Sequence, residues 1–216
     1  MIFKDIKKRI ATSLILFILI ILIIKYNFIL IFSLLILGIY SIIEFLDLTK
    51  KIFSKKINFL IINSIFIIYV FFFCFIFFFL TNFVQLKIII FALLLSCVAS
   101  DIGGFISGRI IKGPKLTKIS PNKTISGAIG SIIFTCITFF SIIFYFSNYL
   151  NYKILIIGLI TSIACQLGDL LFSFLKRKAK IKDTGKLFPG HGGVLDRLDG
   201  IFIGIPAGFI SIVLLY

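Results

Sequence analysis

The sequence is dominated by long uncharged stretches of Ile, Leu and Phe, which short polar segments separate. About 20 apolar residues span a bilayer as a helix, and none of these stretches shows the alternation of a strand. The pattern predicts an all-α integral membrane protein with about seven transmembrane helices. The apolar stretch Ile57–Leu80 could be interrupted near Tyr69, so a count of six or eight transmembrane helices also remains open. The predicted spans are roughly Ile10–Ile24, Asn27–Ile43, Ile57–Leu80, Ile88–Ser107, Ile125–Ser147, Ile154–Leu175 and Gly200–Tyr216.

The composition supports this prediction and excludes other classes of protein. Hydrophobic residues make up 60% of the chain and charged residues 14%, whereas an average soluble domain carries about 25% charged residues. A soluble domain could not build a polar surface from this composition, and a disordered chain needs low hydrophobicity. A membrane protein remains, and its formal net charge of +15 needs an explanation.

The basic residues are concentrated on one side of the predicted topology. With residue 1 inside, only Lys25, Lys87 and Lys153 of the 23 Lys and Arg residues fall outside. The positive-inside rule therefore predicts that the N-terminus lies inside and the C-terminus outside, in what we expect to be a bacterial cytoplasmic (inner) membrane. No small-residue cleavage site follows the first apolar stretch, so we expect this span to stay uncleaved.

The acidic residues point to a functional site. Asp101 and Asp169 lie within largely apolar sequence, where an Asp costs roughly 2.5–3.5 kcal/mol to insert into a membrane. We expect both to face a polar cavity; the alternative is a buried pairing with Lys or Arg across helices. A carboxylate-rich site suits a hard cation such as Mg²⁺, Mn²⁺ or Ca²⁺. The other acids in this half of the chain are Asp183, Asp196 and Asp199. Those expected to be solvated or ion-paired near basic segments are Asp5, Glu44 and Asp47.

Zinc and disulfide bonds are not expected. The cysteines occur singly within apolar spans and the chain holds a single histidine, so no zinc-ligand spacing is present. We expect the cysteines to be small buried side chains: Cys74, Cys97, Cys136 and Cys165.

Two polar connections, residues 108–124 and 176–199, combine basic residues with Gly, Pro, Ser and Thr. Lys and Arg hold phosphate oxygens, and glycine lets backbone N–H groups approach an anion. Next to carboxylates, this combination suits a metal–polyphosphate complex, and the first connection ends at a helix N-terminus, a favourable place for an anion. The alternative remains open that these loops only fix the topology and touch anionic lipid.

The run Ser173–Asp199 resembles the signature of the phosphatidate cytidylyltransferase (CDP-diacylglycerol synthase) family, and Asp101–Arg109, Ile119–Thr124 and Gly168–Leu170 also resemble that family. The resemblance covers roughly residues 100–200. It implies a membrane nucleotidyltransferase that transfers CMP from CTP to phosphatidate, giving CDP-diacylglycerol and pyrophosphate for phospholipid biosynthesis. It also implies an active site at the cytoplasmic side, membrane lipid around a homodimer, no nucleic-acid partner, and Mg²⁺ as cofactor. Whether a monovalent cation such as K⁺ joins the Mg²⁺ is left open.

The resemblance also implies roles for individual residues. The implied metal ligands are Asp169, Asp196 and Asp199. The implied catalytic set adds Lys176, Arg177, Lys182 and Asp183. The implied substrate-binding set is Asp101, Arg109, Ser120, Lys123, Thr124, Gly190, His191, Gly192, Gly193 and Arg197. His191 is expected to contact phosphate or to fix the glycine-rich loop rather than to act as a base.

The chain departs from the family pattern in three places. Ser126 and Phe172 stand where the family usually has Glu, and Phe105 replaces a common Tyr. We expect some rearrangement of the charge of the site. We divide the chain into N-terminal transmembrane helices, residues 1–95, and a catalytic membrane region with two polar cytoplasmic loops, residues 96–216.

Two other functions are weighed against this one. A related lipid enzyme, such as a CDP-archaeol synthase or a CTP-dependent polyprenol kinase, would share the nucleotide but differ in its products. A cation transporter would use Asp101 and Asp169 at membrane depth, and would leave the basic, glycine-rich loop unexplained.

Overall fold

The computed structural model describes residue 18 and residues 21–117, 120, 123–148, 151–185 and 192–216. Helices account for most of these ranges, and short turns connect them. The helices, numbered in chain order, are α1 (Asn27–Ile52), α2 (Lys56–Thr81), α3 (Val84–Ile110), α4 (Ile125–Ser147), α5 (Tyr152–Lys178), α6 (Leu195–Leu198) and α7 (Ile201–Leu215).

Six helical segments in the described ranges are long and apolar enough to cross a membrane, with α6 and α7 counted together as the last. The prediction of an all-α integral membrane protein is therefore confirmed. The predicted first span, Ile10–Ile24, lies largely outside the described residues. The break considered near Tyr69 is absent, because α2 continues through this residue without interruption.

Several helices extend beyond the predicted spans. The largest difference is at α1, which ends at Ile52, whereas the uncharged stretch ends at Ile43. Its last turns carry Glu44, Asp47 and two lysines, so they are too polar to count as a span although they are helical. Hydropathy marks the part of a helix that suits lipid, and the hydrogen-bonded helix continues until its backbone is capped.

The helices belong to two compact units that do not follow the order of the chain. One unit comprises Met1–Thr81 and Leu175–Leu198, and the other comprises Asn82–Phe174 and Asp199–Tyr216. Both units therefore draw on distant parts of the sequence. The division at residues 95 and 96 was made on function and stays a prediction; its boundary falls within α3.

In the first unit, α1 and α2 pack through their cytoplasm-proximal turns as the predicted topology defines them. The rings of Phe45 and Phe66 stack with their centroids 3.8 Å apart. One turn further along α1, the buried Thr49 hydroxyl donates to Asn63 Oδ1 at 3.0 Å. These contacts hold the last turns of α1 in a defined place, which matters below because Glu44 lies among them.

In the second unit, α3 and α4 cross so closely that glycines occupy the crossing. A Cβ added at Gly103 would lie 2.6 Å from the Cβ of Phe134 and 2.8 Å from the carbonyl oxygen of Gly130. A Cβ added at Gly127 would lie 2.9 Å from the carbonyl oxygen of Gly104. Small residues allow this approach of two backbones in a membrane, where dispersion contacts rather than the hydrophobic effect hold helices together.

We expect Gly103→Ala to destabilise the protein by about 1–3 kcal/mol, because the added methyl group meets backbone and Cβ atoms that a rotamer change cannot move. Thermal unfolding in detergent measures this effect. The matched control is Gly38→Ala in α1, where the nearest atom is a cysteine sulfur at 3.3 Å and the stability should be nearly unchanged. Equal stability of both variants would contradict the close crossing.

Candidate functional site

A cavity of about 300 Å³, lined by both apolar and polar residues, lies among α3, α4, α5 and the turn before α4, all in the second unit. This volume is at the lower end of the range for small-molecule sites. The two intramembrane aspartates predicted to face a polar cavity, Asp101 on α3 and Asp169 on α5, both line it. The other polar lining residues are Ser120, Lys123, Thr124, Ser131 and Gln166.

A lysine from the first polar connection pairs with an aspartate within this cavity. Lys123 Nζ lies 3.1 Å from Asp169 Oδ2, and the two side chains are 32% and 17% exposed. The backbone of Lys123 is fixed on both sides, because its N–H donates to the carbonyl of Ser120 and its carbonyl accepts from Leu116. A cation and a carboxylate thus share one partly solvated wall, where phosphate oxygens and a metal ion could replace their mutual contact.

The start of α4 forms another part of the wall. Thr124 caps the helix by accepting a hydrogen bond from the N–H of Gly127 at 3.1 Å. Ser126, which stands where the family usually has Glu, donates its hydroxyl to the carbonyl of Lys112 and lies 3.0 Å from the Thr124 hydroxyl. Lys112 and Gly113 have φ angles of 57° and 122°, so the chain reverses sharply here. Ser126 therefore holds this turn against α4 instead of adding a charge.

Two glycines of the second unit, Gly168 and Gly200, let the chain at Asp199 lie close to α5 at Asp169. A Cβ added at Gly200 would lie 2.9 Å from Asp169 Oδ1, and one added at Gly168 would lie 2.5 Å from the carbonyl oxygen of Asp199. The N–H of Gly200 also donates to Asp199 Oδ1 at 3.0 Å. Glycine at both positions thus lets the segment before α7 lie directly on α5, with the two aspartates as neighbours.

The donors around Asp169 are suitable for a hard cation. Mg²⁺ is usually held by one or two carboxylates, with substrate phosphates and water completing its shell, so side chains such as those of Asp169 and Asp199 are of the type that it binds. In the ranges that the structure describes, no three His, Cys, Asp or Glu side chains form a cluster that could hold a metal. Asp196, the third implied ligand, belongs to the other unit, and its role as a ligand stays a prediction.

Asp196 is held by three donors within the first unit. Lys176 Nζ donates to its Oδ1 at 2.8 Å, and the N–H groups of Thr184 and Gly193 donate to its Oδ2 at 2.8 and 3.0 Å. The side chains of Lys176 and Asp196 are only 12% and 7% exposed. Two residues predicted as catalytic are therefore joined in a nearly buried ion pair that also fixes the backbone on both sides of the glycine-rich loop.

The expectation for Glu44 is wrong. This residue is 6% exposed, and in the part of the chain that the structure describes it pairs with no lysine; its carboxylate accepts from Thr184 Oγ1 at 2.7 Å and from the N–H groups of Val194 and Leu195. Lysines follow Glu44 within two turns of the helix, but its direct neighbours in sequence are apolar. This place among apolar residues is the same signal that singled out Asp101 and Asp169, and it could have identified Glu44 as well.

The remaining predicted residues are distributed over both units. In the second unit, Arg109 packs over the Phe105 ring at 4.7 Å, at the exposed end of α3. Four predicted site residues of the first unit have exposed side chains: Arg177, Lys182, Asp183 and Arg197. Gly192 has a φ of 85°, which only glycine adopts readily. Gly190 and His191 lie outside the described residues.

Comparison with known sequences identifies the family. The sequence model of the cytidylyltransferase family matches residues 4–215, which is nearly the whole chain. A phosphatidate cytidylyltransferase from Staphylococcus haemolyticus is 43% identical over 109 residues, which cover 50% of this chain and 42% of the relative.

Two further relatives with the same name agree with this result. A protein from Helicobacter pylori is 42% identical over 113 residues, which cover 52% of this chain and 42% of the relative. One from Mycobacterium leprae is 42% identical over 117 residues, which cover 52% of this chain and 36% of the relative. The chain thus matches less than half the length of these curated proteins.

Proposed function

Since the chain belongs to the cytidylyltransferase family, we propose that it transfers CMP from CTP to phosphatidate and so produces CDP-diacylglycerol and pyrophosphate. The observation that carries the proposal is the cavity that Asp101, Asp169, Lys123 and the capped start of α4 line together, with Lys123 in contact with Asp169. This wall combines oxygen ligands for a metal ion with a cation for phosphate oxygens. The names of the curated relatives support phosphatidate as the acceptor.

The chemistry of the acceptor limits what the protein must supply. The second pKa of a phosphate monoester is about 6, so phosphatidate is mostly a dianion at neutral pH and needs no general base. Its oxygen attacks the α-phosphorus of CTP, a new P–O bond forms, and pyrophosphate leaves with the electron pair of the broken bond. The protein then acts by positioning the two substrates in line and by neutralising their charge.

The residues around the cavity are suited to this task. Lys123 contacts Asp169 in the structure and would exchange this contact for a phosphate oxygen of CTP. We propose Mg²⁺ as the cofactor, with Asp169 and Asp199 as its protein ligands; once bound, it supplies positive charge to the triphosphate. Arg109, exposed at the end of α3, is a candidate for a further phosphate contact. A phosphate contact of Arg197 rests on the family resemblance alone.

The reaction is tested with CTP labelled at either end. Membranes that carry this chain are incubated with phosphatidate, Mg²⁺ and CTP labelled in the α- or the γ-phosphate. The proposal expects the α-label in the lipid fraction and the γ-label in pyrophosphate, and expects both results to disappear with Asp199→Asn. Transfer of the γ-label to lipid would identify a CTP-dependent kinase instead, and ion flux without CTP would identify a transporter. Activity with an archaeal ether-lipid phosphate but not with phosphatidate would change the acceptor.

We also propose that the protein lies in a bacterial cytoplasmic (inner) membrane as a homodimer, with residue 1 inside and residue 216 outside. The asymmetry of the basic residues and the bacterial relatives support the membrane and the orientation. The homodimer rests on the family resemblance alone.

A reporter fused after Tyr216 tests the orientation. We expect a reporter that works only in the periplasm to be active there, because Lys153 and Tyr216 fall on the side with few basic residues. A reporter that works only in the cytoplasm, active at the same position, would reverse the topology. The mass of the detergent-solubilised protein tests the homodimer.

A further inference from the structure

A buried carboxylate on α1 holds both sides of the glycine-rich loop in the first unit. Glu44 Oε2 accepts from Thr184 Oγ1 at 2.7 Å and from the N–H of Leu195 at 2.8 Å, while its Oε1 accepts from the N–H of Val194 at 3.0 Å. Thr184 precedes the segment of residues 185–193, and Val194 and Leu195 follow it. One side chain therefore ties together two stretches of the loop and joins them to a transmembrane helix.

This carboxylate also explains two glycines of the loop. The three atoms nearest to a Cβ added at Gly185 all belong to Glu44, namely Oε1, then Cδ at 2.8 Å and Cγ at 3.3 Å. A Cβ added at Gly193 would meet both carboxylate oxygens of Glu44 and the Thr184 hydroxyl. Neither glycine has a positive φ, in contrast to Gly192. Glycine is therefore needed at 185 and 193 for the space that Glu44 fills, and not for backbone conformation.

The same backbone segments hold Asp196. Thr184 donates its N–H to Asp196 Oδ2 at 2.8 Å and its hydroxyl to Glu44. Gly193 donates its N–H to Asp196 at 3.0 Å, and the next N–H, that of Val194, donates to Glu44. Neighbouring donors on the same backbone segments thus bind the two carboxylates. A displacement of Glu44 would therefore move the N–H groups that orient Asp196, and Asp196 in turn contacts Lys176.

We propose that Glu44 is a positioning residue, which fixes the backbone of Thr184, Val194 and Leu195 beside Asp196 and Lys176 without touching the substrates. The inference rests on the proposed function, in which Asp196 and Lys176 are predicted to take part. It gives a residue of the N-terminal helices a role in the reaction, where the family resemblance found only spans. It also gives Gly185 and Gly193 a common role as the seat of one carboxylate.

The groups around position 44 favour a carboxylate over an amide or a shorter acid. Among the described residues, the three groups that hydrogen-bond to Glu44 are donors, so an amide at this position would turn its own N–H₂ group toward another donor. An aspartate is one methylene shorter and would not reach the loop. We therefore expect both Glu44→Gln and Glu44→Asp to lower kcat per folded enzyme by about 10–100-fold, the range for groups that orient metal or phosphate ligands.

The first test is a double-mutant cycle that measures whether Gly185 is small because of Glu44. We expect Gly185→Ala alone to lower both the Tm in detergent and the activity, because its Cβ meets the carboxylate. In a Glu44→Ala background the same change should have little further effect, because the three atoms it would meet are gone. The matched control pairs Glu44→Ala with Gly38→Ala, which lies on the same helix against other residues and should be additive. Additive effects of Gly185→Ala and Glu44→Ala would overturn the proposal.

A second measurement separates positioning from simple stabilisation. Hydrogen exchange of the full-length protein in detergent reports on the amides of residues 193–195 with or without activity, so it stands even if the proposed reaction is wrong. In Glu44→Gln we expect faster exchange at these amides, and a lower kcat per folded enzyme in the CTP assay. Unchanged exchange would refute the contact, and unchanged turnover per folded enzyme would reduce Glu44 to a structural role.

Discussion

Asp169→Asn is expected to lower the transfer of CMP by about 10³-fold while the fold stays intact. The substitution keeps the size of the side chain and removes the charge next to Lys123 and Asp199. Turnover should fall because the lost charge belongs to the cavity wall that is proposed to bind Mg²⁺ and the phosphates of CTP. Stability should hardly change, because an ion pair with side chains 32% and 17% exposed contributes only about 0–1 kcal/mol.

The control for this prediction is Asp47→Asn, the same chemical change at an exposed position of α1. It should leave turnover unchanged. A second variant, Asp169→Asn combined with Lys123→Met, distinguishes a catalytic aspartate from a mere partner of Lys123. If Asp169 served only to neutralise the lysine, the double variant would regain activity; we expect it to stay inactive. Recovery of activity in the double variant would contradict the assignment.

Asp196→Asn is expected to destabilise the protein by about 3 kcal/mol, far more than Asp169→Asn. The difference follows from burial: the side chains of Lys176 and Asp196 are 12% and 7% exposed, so water compensates for the lost carboxylate less readily than it does at Asp169. The weakened acceptor would also hold the N–H groups of Thr184 and Gly193 less firmly. Chemical or thermal unfolding of the detergent-solubilised protein measures the loss.

Combining Asp196→Asn with Lys176→Met tests the cause. Removing both charges of the pair together should recover part of the stability, whereas activity should stay low. The single variant Lys176→Met completes the comparison. If Lys176→Met lowers the free energy of unfolding by the same amount in the wild-type protein and in Asp196→Asn, the two side chains do not act as a pair.

The sequence predicted the existence of the helices better than their ends. Uncharged stretches mark α2 and α4 almost to the residue, because those helices carry few charges. The end of α1 differs from the prediction because its last turns carry charged residues and yet continue as a helix. These turns pack against α2, as the contact between Thr49 and Asn63 shows. Hydropathy alone cannot separate a helix that leaves the lipid from a helix that stops.

The sequence also indicated most of the cavity but not its pairings. Asp101 and Asp169 were identified because an uncompensated acid in an apolar run is costly. The partners of these and other acids lie far away in sequence: Lys123 is 46 residues from Asp169, and Thr184 is 140 residues from Glu44. Such contacts depend on the tertiary packing of helices, and no local spacing encodes them. Glu44 shows the consequence, since its neighbours in sequence suggested a solvated residue.

The contact between Glu44 and the N–H of Leu195 spans 151 residues of the chain. Because translation proceeds from the N-terminus, α1 is made and inserted long before the ribosome reaches the segment that will cover its glutamate. Throughout that interval the carboxylate lacks the hydroxyl and N–H donors that Thr184, Val194 and Leu195 later provide. The surroundings of α1 are therefore completed only when the segment from Thr184 to Leu195 has been made. A nascent chain stopped before residue 184 would carry Glu44 on α1 without the donors that bind it in the folded protein.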